Sequence, residues 1–230
     1  MTLLDFDLTG ILAPNDCLLC QTPQGAPLCS SCQVALECLS SGCRFCCNPH
    51  VSPSTHQCAW CERLAFQPQS LEAGLLLRNQ TRKVFHLAKF QGYWPLIDFL
   101  CQRGLNRFLK LPFTTYDGLA YVPSSFFKRL HRPVNPAYAV ANFLHRKTGI
   151  PLFHLLSHRL SRQTQIGLDY QARRRNAQNR FHVVTGAKLP RSLILVDDVL
   201  TTGATLTACS QQLHQAGVQR IAWFGLLRAV

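Results

Sequence analysis

Eight cysteines fall into four C-x-x-C pairs within the first 61 residues: Cys17/Cys20, Cys29/Cys32, Cys43/Cys46 and Cys58/Cys61. Two residues between thiolates let a tight turn aim both sulfurs at one ion, and two such turns complete a tetrahedral four-sulfur shell. A segment this short buries too little apolar area to fold unaided, so a metal has to supply folding free energy. The pattern predicts a double zinc ribbon over residues 1–66, with a short β-hairpin between the knuckles of each site. Spacing leaves the pairing open. The pairs can combine first with second and third with fourth, or cross over. Cys38 and Cys47 are close enough in sequence to compete as ligands, while Cys101 and Cys209 read as buried thiols on helices. A shell of four cysteines has no open coordination position, so these Zn2+ sites are expected to be structural.

The segment before the cysteines, MTLLDFDLTGILAPND, is acidic where a secretion signal would be basic, and no apolar run reaches membrane-spanning length. A cytoplasmic protein without membrane insertion is expected, which disfavours a disulfide scaffold. Charge is unevenly placed. Residues 1–70 carry two basic and five acidic side chains, whereas residues 71–230 carry 22 Lys and Arg against six acids. The second region therefore favours anionic ligands such as phosphates, diphosphates or nucleic acid.

That region, residues 71–230, alternates strand-like and helix-like stretches. Residues 70–77, 116–123, 151–156, 192–198 and 220–227 read as strands. Residues 81–90, 94–109, 136–149 and 205–217 read as helices, the third capped by Asn135 and Pro136 and closed by Gly149. Residues 62–70 read as a linker. Residues 158–182 hold six arginines and a single acid and read as a basic loop. The alternation predicts an α/β domain, a parallel sheet with helices on both faces and ligands beyond the carboxyl ends of its strands.

The stretch Leu193–Leu206, LILVDDVLTTGATL, is the most informative part of that sheet. An apolar strand leads to Asp197 and Asp198. Thr201, Thr202, Gly203, Ala204 and Thr205 then turn into a helix. Small residues let backbone N–H groups approach a phosphate, and the helix N-terminus adds partial positive charge. Neighbouring carboxylates suit vicinal hydroxyls, so the whole stretch fits a ribose 5-phosphate. A dinucleotide fold would place glycines first and its acid about 20 residues later, and a P-loop would need GK[ST]; neither is present.

These adjacent acids before T-T-G-x-T resemble the phosphoribosyl-diphosphate signature of type I phosphoribosyltransferases. With cysteine ribbons ahead of it, the chain is similar to the ComF/GntX family. Gln165, Leu168, Arg173, Asn176 and Phe181, with Lys89–Phe90 and Val122–Pro123, match that family's pattern. The segment His131-Arg132-Pro133-Val134-Asn135-Pro136 departs from the family's R-R-G-[FY]-N-Q. Arg132 and Asn135 are kept; the glycine is replaced by a proline, which removes an N–H and backbone freedom.

The resemblance implies a type I phosphoribosyltransferase-like fold. It implies binding of phosphoribosyl diphosphate with Mg2+ and a role in natural competence and the use of imported DNA. On it, Asp197 and Asp198 hold the ribose, residues 201–205 the 5-phosphate, and Ser124, Ser125 and Arg173 the diphosphate. If the protein is an enzyme, it transfers phosphoribose. The alternative is a non-catalytic scaffold that binds single-stranded DNA and DNA-uptake proteins, with Phe126, Phe127, Lys128, Arg129 and Arg132 as a patch of cations interleaved with aromatics.

Overall fold

The computed structural model describes residues 16–23, 27–36, 38–39, 42–43, 45–52, 58–125, 134–158 and 180–229. Five strands, β1 (Leu71–Leu76), β2 (Leu119–Tyr121), β3 (Leu152–Phe153), β6 (Ser192–Leu200) and β7 (Arg220–Arg228), form one sheet in the order β1-β7-β6-β2-β3. All its pairings are parallel. β4 (Leu156–His158) and β5 (Phe181–Val183) form a separate antiparallel pair.

β6 and β7 are near-continuous apolar runs because both faces of a parallel sheet are covered. Ile194 and Val196 face a layer containing α3 (Asn79–Phe90), α4 (Pro95–Phe108) and α5 (Pro136–Thr148), whereas Leu193 and Leu195 face α6 (Ala204–Gln215). α5 begins and ends as its sequence requires. Asn135 caps Ala137 N–H at 3.0 Å, and Gly149 closes the helix with φ of +74°.

The cysteine-rich region straddles the edge strand. Cys17, Leu28, Cys29 and Leu36 join the core on the α3–α4 side, while Cys43, Cys46, Cys58 and Cys61 join the core on the α6 side. Between them, Cys38 makes an antiparallel bridge to Leu75 of β1. The region thereby covers a sheet edge that would otherwise offer unpaired backbone groups.

The second knuckle of each metal site opens a short helix, α1 (Ser30–Val34) after Cys29 and α2 (Ala59–Glu62) after Cys58; the hairpins expected between the knuckles fall partly outside the described residues. Three expectations need correction. The supposed linker is docked: Leu64 is buried, Phe66 stacks on Trp223 with centroids 6.2 Å apart, and Gln67 Nε2 donates to Cys61 O at 2.9 Å. The stretch expected as one strand over 151–156 splits. Leu152–Phe153 stays in the main sheet, and Leu156–His158 leaves to pair with Phe181–Val183. Those two arms therefore belong to an antiparallel pair at the ends of the basic stretch, whose middle, residues 159–179, lies outside the described residues. Finally, β6 runs two residues past the twin acids, because Val199 and Leu200 pair with Leu227 and Arg228 of β7.

Candidate functional site

The metal centres come together from the knuckles. Cys17, Cys20, Cys29 and Cys32 place their sulfurs within 4.8 Å of one another, as do Cys43, Cys46, Cys58 and Cys61. The first pair of knuckles thus combines with the second, and the third with the fourth. Zn–S bonds of about 2.3 Å put tetrahedral sulfurs about 3.8 Å apart. The Sγ atoms of Cys20 and Cys29 are 3.5 Å apart, those of Cys43 and Cys61 3.7 Å, of Cys46 and Cys58 3.5 Å, and of Cys58 and Cys61 3.7 Å. Both quartets have the donor set and the spacing to hold Zn2+. Four thiolates packed this closely need a cation: burial pushes the Cys61 thiol up to about 11 and also raises Cys46. Cys47 is not a ligand. It accepts from Arg107 Nη2 at 2.9 Å and donates to Glu72 Oε2 at 3.4 Å, and Arg107 and Glu72 are themselves paired at 2.7 Å.

The second site sits where the sheet reverses direction. From β2 the chain moves outward to β3, and from β6 it moves outward the other way, to β7. The helices after β2 and β6 lie on opposite faces, so a crevice opens between the carboxyl ends of these two strands. Ser124 and Ser125 follow β2 there, half-buried. Asn135 fixes that exit, donating from Nδ2 to Val122 O at 2.9 Å. Across the crevice, β6 leads into Thr201, Thr202 and Gly203, then α6. Thr201, Thr202, Ala204 and Thr205 are exposed, and the first N–H groups of α6 have no intrahelical acceptor. Gly203 is the helix cap, with φ of +77°.

The twin acids point to opposite faces, as successive strand residues must. Asp198 pairs with Lys89 of α3, with side-chain exposures of 16% and 18%. Asp197 is buried on the α6 side. Its Oδ1 accepts from Asp198 N–H at 2.9 Å, and burial and then the Asp198 charge hold its carboxyl well above the usual carboxylate range. The expectation that both acids emerge at a strand end therefore changes. Asp198 stands half-buried beside a lysine, and Asp197 is favoured in its neutral form.

Two residues with no local sequence signal support the turn from behind. Trp60 Nε1 donates to Thr201 O at 3.1 Å, and Arg228 Nη1 donates to Thr201 O at 2.8 Å and Leu200 O at 3.1 Å. Arg173 lies outside the described residues, as do the Phe126–Arg132 patch and Gln165, Leu168 and Asn176. The register sets Tyr121 at the end of β2 opposite Val196, so residues 124–125 leave β2 on the side of the sheet end where Asp197, Asp198 and the turn 201–205 follow on β6.

Over 124 residues the chain is 37% identical to competence protein F of Haemophilus influenzae. That match covers 53% of this chain and about half of the relative, 52%. Competence protein ComFC of Streptococcus pneumoniae is 26% identical over 207 residues, covering 87% of both chains. The chain is thus similar to two competence proteins, and spans about half the length of the first. No family model matches it. A purine phosphoribosyltransferase from Pyrococcus horikoshii aligns with 60% of this chain and 88% of its own, at 16% identity and a TM-score of 0.34. Among the described residues, no helix is long and apolar enough to cross a membrane.

Proposed function

We propose that the chain binds phosphoribosyl diphosphate with Mg2+ in the crevice between β2 and β6, and that this binding serves natural competence, the role named for its two relatives. The observation that carries the reading is the exposed turn Thr201–Thr205, set at the reversal point of the sheet beside Asp198. Backbone N–H groups and threonine hydroxyls of the turn take the 5-phosphate. Two carboxylates next to a phosphate would ordinarily repel it. Here Lys89 balances Asp198, and burial favours a neutral Asp197. The ribose hydroxyls then donate to Asp198, while Ser124 and Ser125 face the diphosphate from the neighbouring strand. Mg2+, bound together with the ligand, would neutralise charge on the diphosphate. If the chain turns over, its own contribution is to hold the sugar and the leaving group in line.

Thermal denaturation with ribose 5-phosphate and with phosphoribosyl diphosphate, each with and without Mg2+, tests this. A ligand at a hundred times its Kd stabilises by about 2.7 kcal/mol, which moves the midpoint by about 5–10 °C in a chain of this size. The shift should be present in wild type and much smaller in Asp198→Asn. No shift with either ligand contradicts the reading.

A second reading, single-stranded DNA binding, is favoured by one observation. A cavity of about 490 Å³ is floored by Leu18, Leu19 and Leu87 and edged by Arg82, Lys83 and His86, and His86 stacks on Phe90 with centroids 4.6 Å apart. On this reading log affinity for an oligonucleotide falls linearly with log salt, and Arg82→Gln lowers the slope. A salt-independent affinity excludes it.

A further inference from the structure

Trp60 lies between two metal ligands, Cys58 and Cys61, on the four-residue helix α2. Its place is therefore set by the metal centre. Its ring carries the Arg228 guanidinium 4.4 Å from its centroid, and its Nε1 reaches Thr201 O. Arg228 is 2% exposed. Its Nη1 donates to the carbonyls of Leu200, Thr201 and Ala229, and the guanidinium lies within electrostatic reach of the Cys46 and Cys58 side chains. A four-thiolate zinc centre carries a net charge of −2, so a buried cation beside it is matched by the centre rather than left unpaired.

These contacts orient the peptide that faces the ligand. In a planar trans peptide the C=O and the following N–H point in opposite directions. With Thr201 O held between Trp60 and Arg228, the N–H of Thr202 is turned to the other side, away from the ribbon. Leu64, just after the last ligand, closes the back of the turn: a Cβ on Gly203 would meet Leu64 Cδ2 at 2.7 Å and Trp60 Cζ2 at 3.3 Å. Among the described residues, Trp60 and Leu64 of the ribbon meet the turn, and Arg228 of β7 bridges Trp60 and Thr201. The ribbon sits behind the backbone and not in the ligand's place.

We propose that Trp60 and Arg228 are positioning residues that hold the Thr201–Gly203 turn against the Cys43/Cys46/Cys58/Cys61 centre, so that metal binding there and sugar-phosphate binding at the turn strengthen each other. The proposal rests on the phosphoribose reading above and adds to it a coupling between the two domains. Such coupling is reciprocal: a metal that tightens the turn for ligand is itself held more tightly when ligand is bound.

Two arms test it. In the first, ribose 5-phosphate binding is measured by calorimetry for wild type, Trp60→Phe and Arg228→Lys. Trp60→Phe keeps a ring over which Arg228 can lie and removes the N–H donor; Arg228→Lys keeps the charge and loses the forked donors. Each variant should retain two zinc ions per chain and bind ribose 5-phosphate about 3- to 10-fold more weakly, as expected for one lost hydrogen bond. In the second arm, zinc release from folded wild type to a chromogenic chelator is followed with and without saturating ribose 5-phosphate. One of the two release phases should slow several-fold with ligand, and Trp60→Phe should lose that protection. Equal ribose 5-phosphate affinity in all three proteins overturns the coupling and leaves the site reading intact, as does zinc release indifferent to ligand in wild type. Absence of any ribose 5-phosphate binding by wild type overturns the site reading and the coupling with it.

Discussion

Gly203→Ala puts a methyl group at the junction of ribbon, sheet and turn, and its cost can be worked out from two features. The first is backbone strain. At φ of +77°, an L-residue pays about 1–2 kcal/mol relative to glycine. The second is steric. The new Cβ would sit 2.7 Å from Leu64 Cδ2, 3.3 Å from Trp60 Cζ2 and 3.4 Å from Trp223 Cζ3, against an optimum of about 3.5–4.0 Å. Leu64 is a flexible chain end but is only 8% exposed, so it can yield only by disturbing its neighbours. Overpacking of this kind costs about 1–3 kcal/mol. Gly149 supplies the matched control. Its backbone is almost the same, φ +74° and ψ −3° against +77° and −1°, and a Cβ there meets nothing within 4 Å. Gly149→Ala should therefore show the backbone cost alone, and Gly203→Ala should exceed it by about 1–3 kcal/mol. The assay is urea unfolding of both variants, read through tryptophan fluorescence and far-UV circular dichroism. A Gly203→Ala/Leu64→Ala double variant should recover part of the loss, with a coupling of about 0.5–3 kcal/mol. Equal destabilisation by the two single variants would refute the claim that the ribbon is packed against the turn.

Two further outcomes follow from the sites. Asp197→Asn should stabilise the protein increasingly as pH rises. Burial, then Asp198, raises the folded-state pKa of Asp197, so the wild type's stability from this group is fully present below the unfolded value of about 3.9 and is lost as pH rises through the folded value. Asparagine does not ionise, and urea midpoints should show the gap between variant and wild type widening from pH 4 to pH 8; a constant gap contradicts the assignment. Zinc content by mass spectrometry under native conditions should be two ions per chain, unchanged in Cys38→Ser and Cys47→Ser and reduced to one in Cys58→Ser.

Some of this was legible in sequence because the signals are local. Serial C-x-x-C pairs announce their ions whatever the surroundings. Asn135-Pro136 and Gly149 mark both ends of α5. Leu193–Val196 leading into two acids and five small residues marks a central strand and the turn after it. What was hidden depends on contacts between distant residues. Trp60 and Thr201 are 141 residues apart, and nothing around Trp60 distinguishes it from a tryptophan that merely packs. Arg228 follows an apolar strand and reads as a strand end, yet it is buried because three carbonyls, those of Leu200, Thr201 and Ala229, converge on its Nη1. Lys89 was visible as a residue of the family pattern, but its pairing with Asp198 required α3 to be laid against β6. The β4–β5 pair escaped because each arm has three residues and its partner lies across the basic stretch. The polar look of residues 62–70 concealed Leu64 and Phe66, the two apolar side chains that dock it.

Backbone amide spectra during a titration with ribose 5-phosphate address the central claim most directly. The account predicts that the amide resonances of Thr202, Ala204 and Thr205 move together and saturate at the Kd given by calorimetry. If these resonances stay still while those of Arg82, Lys83 and His86 move, the sugar phosphate is held elsewhere and the account is wrong.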